Sequence, residues 1–123
     1  MKKIICNSIE FVFVSEIQYK INGKFILKSG REWEKLDVTE KPVYSSETKQ
    51  ANPGPVKEET VTAITRYDED AILKTHSNFP IILRMKTIAD DTFYVGSILY
   101  PIITEVSCDK IFDTYTFKSK STP

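Results

Sequence analysis

From Ile9 to Ile21 the odd positions read Ile9, Phe11, Phe13, Ser15, Ile17, Tyr19 and Ile21, and the even ones Glu10, Val12, Val14, Glu16, Gln18 and Lys20. A period of two puts these sets on opposite faces of an extended chain. Thirteen residues is long for one strand, so the break at Ser15 predicts a bulge or a bend. Asn22-Gly23 follows, and both residues tolerate the positive φ of a type I′ turn. The return strand is Lys24 to Lys28, after which Ser29-Gly30 turns the chain into Arg31 to Val38, with Trp33, Leu36 and Val38 as its apolar members. The first forty residues therefore read as a meander.

Between Thr39 and Glu59 polar residues dominate, with only Val43, Tyr44, Ala51 and Val56 as anchors. Such a stretch predicts a long polar loop or arm over 39–55: a solvated hairpin or disordered loop, or else an arm that orders against a partner, as the alternating Val43, Ser45, Glu47 pattern allows. Few apolar side chains are present there to offset the ~1–2 kcal/mol per residue of backbone ordering. The segment is accordingly expected to be the least protected of the isolated chain. Val56 to Tyr67 then reads as a strand, as do Pro80 to Ile88, Thr92 to Ser97, Pro101 to Cys108 and Ile111 to Lys118. One helix is predicted near residues 69–77: Asp68 caps it, acidic residues load its first turn, and Lys74 and His76 sit in its last.

Composition points the same way. Ile, Val and Thr total 35 residues against 9 for Ala and Leu, and β-branched side chains suit a pleated surface better than a helical turn. The fold class expected is all-β, or β-dominated α+β: a sandwich or rolled antiparallel sheet of about eight strands with one short helix. At 123 residues the chain has the length of a single domain, 1–123. Phe11, Phe13, Ile17, Trp33, Ile81 or Ile82, Tyr94 or Val95, Val106 and Phe117 are its expected core.

Charge narrows the function classes. The 17 basic and 17 acidic residues cancel, and no third of the chain is polarised, which argues against a nucleic-acid surface or an anionic-membrane binder. The apolar run after Lys2-Lys3 is interrupted at Asn7, Ser8 and Glu10 before reaching signal-peptide length. No stretch approaches the ~20 apolar residues of a membrane helix. A soluble protein is expected, cytoplasmic at synthesis. Cys6 and Cys108 show no metal-ligand or redox spacing and read as two buried free thiols.

The inventory of reactive side chains nominates no catalytic, cofactor-binding or metal-ligating residue. His76 is the only histidine, so a two-histidine metal site is not available, and the residue reads as an exposed helix-terminal cation without a metal. Asp68-Glu69-Asp70 opens like a calcium loop but lacks the glycine and distal glutamate, and Asp90-Asp91 reads as a hairpin turn. The glycines at 23, 30, 54 and 96 are too scattered for a phosphate loop. Phe11, Phe13 and Tyr19 share the apolar face of their strand and read as core rather than base-stacking groups. Arg84 and Lys86, and likewise Lys118 and Lys120, alternate as solvated faces.

The stretch Gly54-Pro55-Val56-Lys57-Glu58-Glu59-Thr60-Val61-Thr62-Ala63, then Phe79-Pro80-Ile81-Ile82-Leu83-Arg84 leading through Asp90-Asp91 to Gly96-Ser97 and Tyr100-Pro101, and the close from Thr114 to Pro123 resemble small β-rich proteins of bacterial prophage structural-gene clusters. The likeness spans residues 31 to 123 and rests on glycine, proline and strand spacing. One departure is Asp90-Asp91, where those proteins carry Asp-Gly. The resemblance implies a non-enzymatic, phage-derived structural or assembly protein, tail-associated or otherwise part of a virion. Its partners would be neighbouring virion proteins or further copies in a homo-oligomer. The alternative is a monomeric β-sheet binding module for a glycan or a single-stranded nucleic acid held on an exposed aromatic.

Overall fold

A computed structural model describes residues 2–50, 54–76 and 78–121. It is built mostly of strands, as periodicity and composition predict. In chain order these are β1 (Lys2–Phe13), β2 (Ile17–Ile21), β3 (Lys24–Leu27), β4 (Glu34–Lys35), β5 (Val43–Gln50), β6 (Pro55–Arg66), β7 (Ile81–Thr87), β8 (Thr92–Val95), β9 (Ile103–Cys108) and β10 (Phe112–Ser121). One helix, α1 (Ile72–Thr75), separates β6 from β7. Eight strands form one antiparallel sheet in the order β8-β7-β1-β5-β6-β10-β9, with β4 attached to β1, while β2 and β3 make a hairpin of their own. Among the described residues no helix is long and apolar enough to cross a membrane.

The sheet rolls up because β1 serves two sets of neighbours. Lys2 to Ile5 pair with β5, whereas Cys6 to Phe13 pair through the other edge with β7. A register shift between Cys6 and Ser8 marks the bend, as an extra residue in one strand of an antiparallel pair does. Beyond the bend β4 lies beside Glu10 and Phe11, and Val38 bridges onward to Thr65 of β6. The roll comes round until the Ile102 N–H, just ahead of β9, donates to the Ile81 carbonyl of β7 at 2.9 Å.

Inward side chains fill the roll. Ile9, Phe11 and Phe13 meet Val61 and Ala63 of β6, Leu83 and Met85 of β7, and Tyr115 and Phe117 of β10 in one buried cluster, and Leu73 of α1 joins it from the end. A second cluster lies on the outer face of β1 and β7, where Ile17 and Phe25 of the β2-β3 hairpin cover Val12 and Ile82. Both faces of β1 are thus covered at this point. The expected core residues Phe11, Phe13, Ile17, Ile81, Ile82, Val95 and Phe117 are buried, and Trp33, Tyr94 and Val106 pack against them partly buried.

Local chemistry explains the turns. A three-residue 3₁₀ turn at Val14–Glu16 breaks the first periodic run, at the predicted Ser15. Asn22 and Gly23 take φ of 51° and 75°, as the hairpin predicts. Asp90 adopts a φ of 67°, because aspartate is one of the few non-glycine residues that visit this region readily.

Four expectations need correction. The polar stretch over 39–55 is for most of its length neither a disordered loop nor an arm: Val43 to Gln50 pair antiparallel along their whole length with β6, in keeping with the hairpin alternative. Main-chain ladders on a two-sided ribbon satisfy its backbone without the apolar side chains that would have signalled it, and the alternating Val43, Ser45 and Glu47 are one face of that strand. Its tip, residues 51–53, lies outside the described residues. Arg31 to Val38 contains only the two-residue β4. Tyr19 and Ile21 are exposed, because only the Ile17 end of the β2-β3 hairpin reaches the sheet. Finally, α1 is a single turn without a side-chain cap. Asp68 does not cap it because its Oδ1 accepts the Asp70 N–H at 3.0 Å and closes its own turn; residue 77 lies outside the described residues.

Lys110, at the turn between β9 and β10, holds a φ of 71°, a conformation that costs an L-residue about 1–2 kcal/mol. Lys110→Gly is expected to stabilise the protein by a few tenths to about 1 kcal/mol, net of the extra freedom glycine gains when unfolded. Lys110→Val, branched at Cβ, is expected to destabilise it by about 1 kcal/mol or more. Urea unfolding of the two variants checks the opposite signs.

Candidate functional site

The roll is not closed along β9. Ile102 points its main-chain groups at β7, and along a strand successive residues direct theirs to alternate edges. Thr104, Val106 and Cys108 therefore present N–H and C=O away from β10, while Ile103, Glu105 and Ser107 bond to it. The turn agrees with this register, since the Asp109 N–H donates to the Phe112 carbonyl. Among the described residues β9 pairs only with β10. Its second edge borders a cavity of about 430 Å³ walled by Tyr67, Glu69, Lys74, Thr104, Val106 and Cys108. Lys74 of helix α1 forms part of that wall.

The helix is held there by a buried ion pair. Asp113, at 0% exposure, is on the inward face of β10. Lys74 Nζ reaches its Oδ1 at 2.8 Å, and its Oδ2 accepts the Asp68 N–H at 3.1 Å. The Tyr67 ring centroid lies 4.1 Å from the same ammonium, a cation–π contact. Burial by itself would push Lys74 down, but the hydrogen bond and charge of Asp113 outweigh it and hold the ammonium above its ordinary value of 10.5. Among the described residues the buried Thr104 Oγ1, on the same cavity wall, has no hydrogen-bond partner.

On the other side of α1 a larger recess of about 740 Å³ runs between the Leu36–Thr39 segment and Thr65–Asp68, floored by Phe11 and Tyr115. Its wall is a mixture of side chains, none of them among the described residues a buried polar group left unpaired. The seam at β9 is therefore the better-defined site.

The residues singled out by sequence fall elsewhere or take structural parts. His76 is exposed, with its ring 5.1 Å from that of Phe79 and 6.0 Å from that of Phe13. Among the described residues, no three of His, Cys, Asp and Glu come together as a metal would require. Cys6 is a buried free thiol, pushed up by that burial. Cys108, expected buried, is exposed, because it ends a strand that is paired along one edge only. Arg84 grips Glu10 through two bonds of 3.0 and 2.9 Å and lies 4.8 Å from the Trp33 ring centroid. Lys118 faces Glu105 and Lys120 faces Glu58.

Lys74, Thr104 and Asp113 were not nominated by the sequence reading. A signal existed for the aspartate: it shares the parity of Tyr115 and Phe117 on β10, so an inward carboxylate required a cation from another element.

Comparison of the chain with protein-family models, curated proteins and solved structures finds no match in any of the three.

Lys74→Met is expected to cost about 3–5 kcal/mol, because it leaves the Asp113 charge buried and alone. Lys74→Met/Asp113→Asn should recover most of that, since the amide oxygen still accepts the Asp68 N–H. The Lys74 value is raised on folding, so its contribution is complete below pH 10.5 and is lost as pH rises through the higher folded-state value. Chemical unfolding measured from pH 8 upward should show an alkaline loss in the wild type that is smaller in the double variant.

Proposed function

We propose that the chain is a non-enzymatic structural or assembly protein of a phage-derived particle, tail-associated, which works by joining protein partners. The observation that carries this reading is the contrast between a filled interior and an outward-turned, unpaired side. Tyr115, Phe117, Met85 and Leu73 occupy the centre of the roll, where a ligand-binding barrel would keep a cavity. By contrast, Leu99 at 84% exposure, with Ile98 and Ile103 also exposed, leads into a strand with one free edge. Apolar loops beside open edges are liabilities in an isolated protein and assets in an assembled one.

The close titratable pair supports the same reading. Lys74 and Asp113 neutralise each other and fasten a helix, rather than presenting a nucleophile and base to solvent. A glycan or single-strand platform has less support, since Phe25, Trp33 and Tyr94 pack on one another with centroids 5.1–6.5 Å apart.

Particles purified by density gradient after prophage induction in the encoding host are expected to contain the chain at a constant ratio to tail protein, measured by quantitative mass spectrometry. Particles that assemble and infect without it would overturn the proposal.

A further inference from the structure

Between β6 and β7 the chain leaves the sheet, and its two ends are fastened by the main chain. Tyr67 donates its N–H to the Ile111 carbonyl at 3.0 Å, and the Pro80 carbonyl accepts the Val14 N–H at 3.0 Å. In between, the main-chain bonds among the described residues stay inside the segment. Ala71 donates to Asp68, Lys74 and Thr75 donate to Ala71, and His76 donates to Ile72. From Asp68 to His76 only Leu73 is buried. A stretch with so little buried apolar surface and no ladder opens locally, ahead of the strands around it.

Side-chain contacts hold this stretch against the roll. Leu73 enters the core, Lys74 and the Asp68 N–H share the Asp113 carboxylate, and the His76 ring lies 6.0 Å from that of Phe13. All of these can part without unpairing a strand. Two buried charges gain little over two hydrated ones, whereas a single charge left buried is expensive. Lys74 therefore leaves Asp113 only when the whole turn moves and water reaches both ions.

We propose that Asp68 to His76 is a latch that swings out as a unit on hinges at Tyr67 and Pro80, with the Lys74–Asp113 pair as its catch. Helix α1 stands between two cavities: Ala71 and Ile72 line the recess floored by Phe11 and Tyr115, and Lys74 lines the cavity along β9. Swinging it out joins the two, uncovers Asp113 and opens the inner side of β9 to solvent while every ladder stays paired. A molecule bound in the joined recess would hold the latch open, since a ligand shifts the population toward the state it prefers. The device stands whether or not the chain works in a particle.

The test is native-state amide exchange of the full-length ¹⁵N-labelled protein across low urea concentrations. Lys74, Thr75 and His76 report on the latch, and Ala63 and Tyr115 on the β6-β10 ladder. The latch amides are expected to open at least about tenfold more often than the ladder amides, with little dependence on urea, because the swing exposes far less surface than unfolding. Ile17→Ala, in the outer cluster, should speed the ladder amides about thirtyfold or more. It should leave the latch amides at the wild-type rate, since the closed and open forms carry the same loss. Lys74→Met should abolish protection at Thr75 and His76, because opening hydrates the lone Asp113, while Ala63 and Tyr115 stay protected. Leu73→Ala should speed the latch amides about thirtyfold or more and covers the case in which Lys74→Met does not fold.

Latch amides that exchange in step with Ala63 and Tyr115, at the same urea dependence, would overturn the proposal, because the segment would then open only with the whole roll. Latch amides as fast as those of an unstructured chain in the wild type would also overturn it, by leaving nothing for a catch to hold. A folded Lys74→Met chain with wild-type protection at Thr75 and His76 would rule out the catch. Equal acceleration of latch and ladder in Ile17→Ala would rule out independent opening.

Discussion

β1 exchanges neighbours part-way along its twelve residues, at the Cys6–Ser8 irregularity, where an extra residue bends an antiparallel strand and increases its local twist. The exchange sends β5, β6, β10 and β9 one way and β7 with β8 the other. Curling then brings the two ends together, but only Ile102 and Ile81 meet. Among the described residues β9 finds no strand along its second edge. An open seam is thus the consequence of how the first strand is shared.

The contents of the seam follow from burial. Inward residues of β10 face the core, yet Asp113 is among them, and a carboxylate with no exposure needs both charge and hydrogen-bond partners. Lys74 and the Asp68 N–H supply these, and in doing so they anchor α1 over the end of the roll. Leu73, one residue earlier, enters the core from the same turn. A single-turn helix has little stability of its own, so the ion pair and the leucine are what hold it. The helix closes the end of the interior without reaching the main-chain groups of β9, and the Thr104 hydroxyl remains unpaired.

Much of the fold was legible because it depends on local rules. The alternation through Ile9 and Phe13, the pause at Ser15 and the Asn22-Gly23 turn each have a short-range cause, and each appears in place. β5 was illegible for the opposite reason: its stability comes from ladders to β1 and β6, distant in sequence, and only Tyr44 on it is buried. The seam was harder still. That Thr104 borders Lys74 depends on where β9 ends up relative to α1, and no spacing between the two residues encodes it.

Amide hydrogen exchange along β9, resolved residue by residue in the free protein, tests the open seam most directly. Open-edge geometry predicts an alternating pattern: Ile103, Glu105 and Ser107 protected by β10, with Val106 and Cys108 exchanging orders of magnitude faster and Thr104 slowed only by its burial. Uniform protection from Ile103 to Cys108 would mean that the second edge of β9 is already paired, and the account of an unfilled strand position would be wrong.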